Sequence, residues 1–208
     1  MGQSHPNSAT LPQPIEVARL VANELEALGV AYFIGGSLAS AVHGVTRATL
    51  DVDLIADLDE SHVERLAHAL QGHFYVDPEA MREAIRHRRS FNVIHLATMF
   101  KVDVFVSKGS AYAAEQFRRR IAEEVGTEPG QTVYFASPED IVLAKLDWYR
   151  MGGNVPARQW QDVLGVLRVQ AGNLDWAYLH DWAVALGLAE LLGRARQESG
   201  QAKGSLEG

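Results

Sequence analysis

Apolar residues recur at three- and four-residue spacing from Ile15 to Leu28, at Val17, Leu20, Val21, Leu25 and Leu28, and stop at Gly29. This spacing predicts an amphipathic helix. The apolar run Ala31 to Ile34 predicts a strand entering the turn Gly35-Gly36-Ser37. Small residues then lead through a short helix to Arg47 and the alternating strand Leu50 to Ile55. Asp59 or Ser61 caps a helix running through Leu70, with Val63, Leu66, Ala67 and Leu70 on one face, and Phe74 to Val76 reads as a short strand. Pro78 fits the first turn of a helix over Glu79 to His87, and two strands, Ser90 to Leu96 and Met99 to Val106, join through a turn at Ala97-Thr98. Beyond Gly109 a helix extends to about Arg120, and Thr132 to Ala136 is the last predicted strand. The remaining pattern is helical, over Pro138 to Arg150, Ala157 to Gln170, Leu174 to Leu186 and Leu188 to Gln197, separated by glycine-containing turns. The expected architecture is an α/β domain over 15–136 and a C-terminal helical bundle over 137–200, with a loose N-terminus (1–14) and a tail or cloning remnant (201–208).

Composition narrows the class. The 208 residues are 47% hydrophobic, enough to bury a proper core. Cysteine is absent, which excludes disulfides, thiolate zinc sites and a cysteine nucleophile. No apolar run approaches the roughly 20 residues that span a bilayer, and the first residues lack a secretory pattern. A cytoplasmic protein without a membrane partner is expected. The formal charge of −7 argues against general coating of nucleic acid, which needs many Lys and Arg contacts to phosphate.

The chemistry concentrates between Ile34 and Ile55. Side chains alternate along a strand, so Asp51 and Asp53 share one face while Val52 and Leu54 take the other. Paired carboxylates repel unless neutralised, and as hard oxygen donors they suit Mg2+ or Mn2+. Lys101 to Val106 places a further acid, Asp103, amid β-formers, where burial is costly unless the group is paired or metal-bound. Asp103 is therefore the candidate third carboxylate. Gly35 and Gly36 permit close backbone approach, and Ser37 opens a helix suited to phosphate oxygens. Arg47 reads either as a surface charge or as a contact to triphosphate or the paired acids. His43 reads either as a structural residue at a helix end before Gly44 or as a base. Arg82, Arg86, His87, Arg88 and Arg89 form either a solvated basic face or a dock for acceptor phosphates, and Arg118 to Arg120 read as a solvated basic face or as compensation of a helix dipole. Arg158 and Asp162 have the spacing of an i,i+4 ion pair.

The series Gly35-Gly36-Ser37, His43-Gly44, Arg47, Thr49 to Asp53 and Lys101-Val102-Asp103 resembles the nucleotidyltransferase superfamily of the DNA polymerase β type. More narrowly, with Ser137-Pro138-Glu139-Asp140 followed by Lys145, it resembles the bacterial AbiEii/MenT-like toxin and DUF6036-like branch. The resemblance spans Gly29 to Leu167. It implies the α/β (α+β) nucleotidyltransferase fold, a small mixed sheet flanked by helices and followed by a helical segment. It further implies a nucleoside triphosphate such as ATP as substrate, and two Mg2+ or Mn2+ ions held by Asp51, Asp53 and Asp103. Phosphates would meet Gly35, Gly36, Ser37, Arg47 and Lys145; the other reading of Lys145 is a solvent-facing helix residue beside Asp147 and Arg150. The toxin-like branch implies an RNA (tRNA) or protein acceptor and an antitoxin partner. The alternatives are a non-catalytic nucleotide-binding or antitoxin-partner module, or a transferase acting on an aminoglycoside-like small molecule.

Overall fold

A computed structural model describes residues 14–44, 51–125, 132–153 and 157–201; Arg47, Thr49 and Leu50 lie outside the described residues, as do most of the N-terminal stretch and the tail. Elements follow the apolar pattern closely. Helix α1 (Pro14–Ala27), strand β1 (Tyr32–Ile34), helix α2 (Gly36–Val42) and strand β2 (Val52–Ala56) come first. A 3-10 turn (Glu60–His62) leads into α3 (Val63–Leu70), then β3 (Phe74–Tyr75), α4 (Pro78–Arg86), β4 (Ser90–His95) and β5 (Lys101–Val106). Next are α5 (Ala111–Arg119), β6 (Ile121–Glu124) and β7 (Thr132–Phe135), and finally α6 (Pro138–Met151), α7 (Ala157–Val169), α8 (Trp176–Ala185) and α9 (Ala189–Glu198).

Caps set the helix starts. Asp59, Asp77, Ser110, Ser137 and Asp175 each accept a hydrogen bond from a first-turn N–H, a contact worth about 1 kcal/mol. Pro78 and Pro138 sit in the first turns of their helices, where the missing N–H is harmless.

The strands form one mixed sheet in the order β3-β4-β5-β2-β1-β7-β6 among the described residues. Strand β2 runs antiparallel to β1 and parallel to β5, and β1 runs parallel to β7. Val52, Leu54 and Ala56 on β2, with Val102, Val104 and Val106 on β5, are buried in the core that also holds Val17, Val21 and Leu25 of α1 and Leu66 and Leu70 of α3. The opposite face of the same two strands carries Asp53, Ile55, Asp103 and Phe105, all partly buried.

One strand escapes the sequence pattern. β6 pairs antiparallel with β7, Ile121 opposite Phe135, directly after Arg120. Its sequence Ile-Ala-Glu-Glu lacks the β-branched alternation of a central strand, and an edge strand tolerates such polarity because one side meets water.

Helices α6 to α9 pack on one another, α6 against α7 and α8, and α9 against α7 and α8. Arg119 ties α5 to them: its guanidinium lies 3.3 Å from Glu139, 3.5 Å from Asp175 and 4.0 Å over the Tyr178 ring. Arg120 lies 4.1 Å over the Tyr134 ring and donates to the Tyr32 carbonyl, while Arg118 pairs with Glu115. Arg118 and Arg119 thus lie in the last turn of α5, where positive charge complements the helix dipole, and Arg119 and Arg120 serve in addition as structural ties. No described helix is long and apolar enough to cross a membrane.

Candidate active site

Parallel pairing of β2 with β5 sets Asp53 directly opposite Asp103, so both carboxylates leave the sheet on one face. They open into a cavity of about 390 Å3 whose other wall is α6, lined there by Ile141, Ala144, Lys145 and Trp148. Asp51 lies exposed one residue ahead of β2. Burial, then the charges of Asp103 and Asp51, push the Asp53 carboxyl above its usual range, and Lys145 and Lys101 only partly offset them. Asp53 is therefore the acid that most resists carrying its charge in this site, and a cation there would favour the ionised form. Lys101, two residues before Asp103 on the same strand face, holds its ammonium 2.7 Å from Asp103 Oδ2. That hydrogen bond is the main reason its own pKa is raised.

The glycine turn is fitted to the acids. Gly35 donates its N–H to the Asp53 carbonyl at 2.9 Å, which fixes the turn against β2. Gly36 has φ of +58°, and a Cβ there would lie 1.8 Å from Asp53 Oδ2. Only glycine satisfies both the left-handed backbone and the close approach. Gly36 and Ser37 line the cavity beside Asp53.

Lys145 is not solvent-facing. Its ammonium lies 2.7 Å from Asp162 Oδ2, with the two side chains only 5% and 6% exposed, and it donates to Gln159 Oε1 at 3.1 Å. The lysine forms part of the cavity wall while anchored to α7. Asp162, spaced for an ion pair with Arg158, accepts this buried bond from Lys145.

The other candidates resolve individually. His43 is buried, with Nε2 2.7 Å from the Ala136 carbonyl, and its own carbonyl accepts from Gln170; the ring is structural. The basic cluster on α4 is engaged with acids: Arg82 with Glu64 and Glu79, Arg86 with Glu60, His87 with Glu83. Arg88 donates to the Ser107 carbonyl. Six contributors to the cavity were not singled out as site residues from the sequence: Ile55, Phe105, Ile141, Ala144, Trp148 and Gln159. Ile55 and Phe105 follow their aspartates by two residues, the strand period, and Trp148 follows Lys145 by three, the helix period; those spacings were the available signals.

Among the described residues, no group of three or more His, Cys, Asp or Glu is placed to hold a metal ion by itself. The donor set nevertheless fits a hard divalent ion. Mg2+ is ordinarily bound through one or two carboxylates plus substrate phosphates rather than by an all-protein cage, and Asp53 and Asp103 supply such a pair.

No protein-family profile matches the chain, and no curated protein matches it. Solved structures do. The chain is similar to an antigenic nucleotidyltransferase-like protein from Paracoccidioides brasiliensis, with TM-score 0.54 and 18% identity, covering 89% of this chain and 92% of that one. It is also similar to the antibiotic-resistance factor ANT(2'')-Ia, with TM-score 0.52 and 15% identity, covering 88% and 96%. The mixed sheet with its flanking and following helices is thus a nucleotidyltransferase fold.

Proposed function

We propose that this chain is a metal-dependent nucleotidyltransferase that moves a nucleoside monophosphate from a nucleoside triphosphate to a hydroxyl acceptor and releases pyrophosphate. The observation that carries the reading is the register of Asp53 with Asp103 on the floor of a cavity roofed by α6. Residues 15–136 form the catalytic unit and 137–200 its helical roof, in a cytoplasmic protein.

Asp51, Asp53 and Asp103 would hold two Mg2+ or Mn2+ ions, which when bound neutralise charge on the triphosphate and lower the pKa of the acceptor hydroxyl. Gly35, Gly36 and Ser37 approach the phosphates through backbone, with Arg47 and the Lys145 wall adding positive charge. The acceptor oxygen attacks the α phosphorus in line, its proton passes to the Asp103 carboxylate, and the bond to the β-phosphate oxygen breaks as pyrophosphate leaves. Positioning and charge neutralisation do most of the work.

For the acceptor, the motif order supports RNA (tRNA) or protein, as in a toxin restrained by an antitoxin. A second reading has its own support. The α4 arginines that would dock RNA are paired with Glu60, Glu64 and Glu79, and the fold matches an antibiotic-resistance factor. An acidic chain of charge −7 would favour a cationic, aminoglycoside-like small molecule. Incubation with each triphosphate labelled at the α or γ phosphate, Mg2+ or Mn2+, and separate pools of total RNA, lysate protein and aminoglycosides tests this. Acceptor label from the α position only is expected. No transfer to any pool would leave the non-catalytic module as the reading.

A further inference from the structure

The cavity floor changes character along the strands. Two residues beyond the Asp53–Asp103 pair, Ile55 stands opposite Phe105 on the same face, so an apolar patch begins about 6–7 Å from the acids at the usual strand rise. Facing it, α6 presents Ile141, Ala144 and Trp148, at spacings of three and four that place them on one side of the helix. Trp148 is 53% exposed although its indole is the largest apolar group of the wall. Acids at one end and an apolar, aromatic-walled slot at the other match the two ends of a nucleotide.

Gln159 of α7 also lines the cavity. Its Oε1 accepts from the Lys145 ammonium, a group that can only donate, so the amide is oriented with its oxygen toward Lys145. The NH2 end is left as a donor, and among the described residues no acceptor meets it. Lys145 is itself anchored by Asp162, which makes the orientation of Gln159 a fixed property of the α6–α7 pair.

We propose that this half of the cavity is the nucleobase site: the base stacks on Trp148, and Gln159 donates to an acceptor on its edge. The inference rests on the nucleotidyltransferase reading and goes beyond it by assigning base recognition to residues outside the carboxylate motif. Because Gln159 acts as a donor, it favours a keto over an amino group where it reads the edge, and so discriminates UTP from CTP or GTP from ATP.

The test is isothermal titration of the full chain with ATP, GTP, CTP, UTP and inorganic tripolyphosphate in Mg2+, for wild type, Trp148→Ala and Gln159→Glu. Base–aromatic stacking is worth about 1–3 kcal/mol, so Trp148→Ala is expected to weaken the triphosphates the parent binds by about 5- to 150-fold. Tripolyphosphate affinity should stay within about twofold, since the indole is remote from phosphate in this arrangement. Gln159→Glu still accepts from Lys145 but cannot donate from the other oxygen, and it should invert the keto-over-amino preference. Equal losses for nucleotide and tripolyphosphate, unchanged nucleotide affinity in Trp148→Ala, or an unaltered base ranking in Gln159→Glu would each overturn the base site while leaving the transferase reading standing. A wild-type protein that binds neither nucleotide nor tripolyphosphate would overturn both.

Discussion

Lys145→Met is the perturbation whose size the structure defines best. The ammonium and Asp162 form an ion pair at 2.7 Å with both side chains about 95% shielded, and Gln159 adds a further acceptor at 3.1 Å. The substitution takes from the 6%-exposed Asp162 its counter-ion at 2.7 Å, and loss of one member of a buried pair costs about 3–5 kcal/mol. For a chain of this length 1 kcal/mol corresponds to about 2–4 °C, so the melting temperature should fall by about 6–20 °C. The double variant Lys145→Met/Asp162→Leu removes both charges and should recover most of that loss, since buried pairs are replaceable by apolar groups at little cost. Thermal denaturation followed by circular dichroism at pH 7, without nucleotide or metal, gives both values. A single variant melting within about 2 °C of wild type would show that Asp162 does not depend on Lys145, contrary to the buried pair. If the double variant is stable yet binds triphosphate more weakly than wild type, the lysine serves the ligand as well as the fold.

Asp53→Asn should stabilise the metal-free protein at neutral pH. The folded carboxyl titrates above its unfolded value, so between those two values the fold holds a proton that the unfolded chain has lost, and stability falls as pH rises through that window. The melting-temperature advantage of the variant should therefore be present at pH 7 and vanish below about pH 4, near the unperturbed carboxylate value; an equal difference at both pH values would contradict this. Gly36→Ala forces a left-handed alanine against Asp53 and should cost at least about 1–2 kcal/mol together with loss of transfer activity, read by denaturation and turnover. Lys101→Met removes the ammonium beside Asp103, and the Mn2+ concentration giving half-maximal thermal stabilisation should drop several-fold; a rise would mean that Lys101 supports cation binding rather than substituting for it.

Much of this was legible in the chain because the signals were local. The alternation around Asp53, the acid amid β-formers at Asp103 and the Ser137-Pro138 cap each depend on neighbours within a few residues. The pairing of β2 with β5 was not legible, because about 50 residues separate Asp53 from Asp103 and no local pattern names a strand's neighbour. Lys145 was ambiguous for a related reason: Ile141, Val142, Leu143, Leu146 and Tyr149 bury α6 on several sides, which erases the polar face that would have oriented it. Its partner Asp162 lies on another helix. β6 was hidden by its two glutamates, and nothing local marks Trp148 as a cavity residue, because Ile55 and Phe105, which share the cavity with it, lie on distant strands.

The central claim is that Asp53 and Asp103 together hold the metal that engages a nucleoside triphosphate. Crystals grown with Mn2+ and a non-hydrolysable triphosphate test it directly through the anomalous signal of manganese. The account predicts a peak within coordinating distance of both carboxylates, bridged to phosphate oxygens at the Gly36–Ser37 turn, and its loss in Asp103→Asn. Triphosphate bound elsewhere, or manganese with neither aspartate as a ligand, would contradict it.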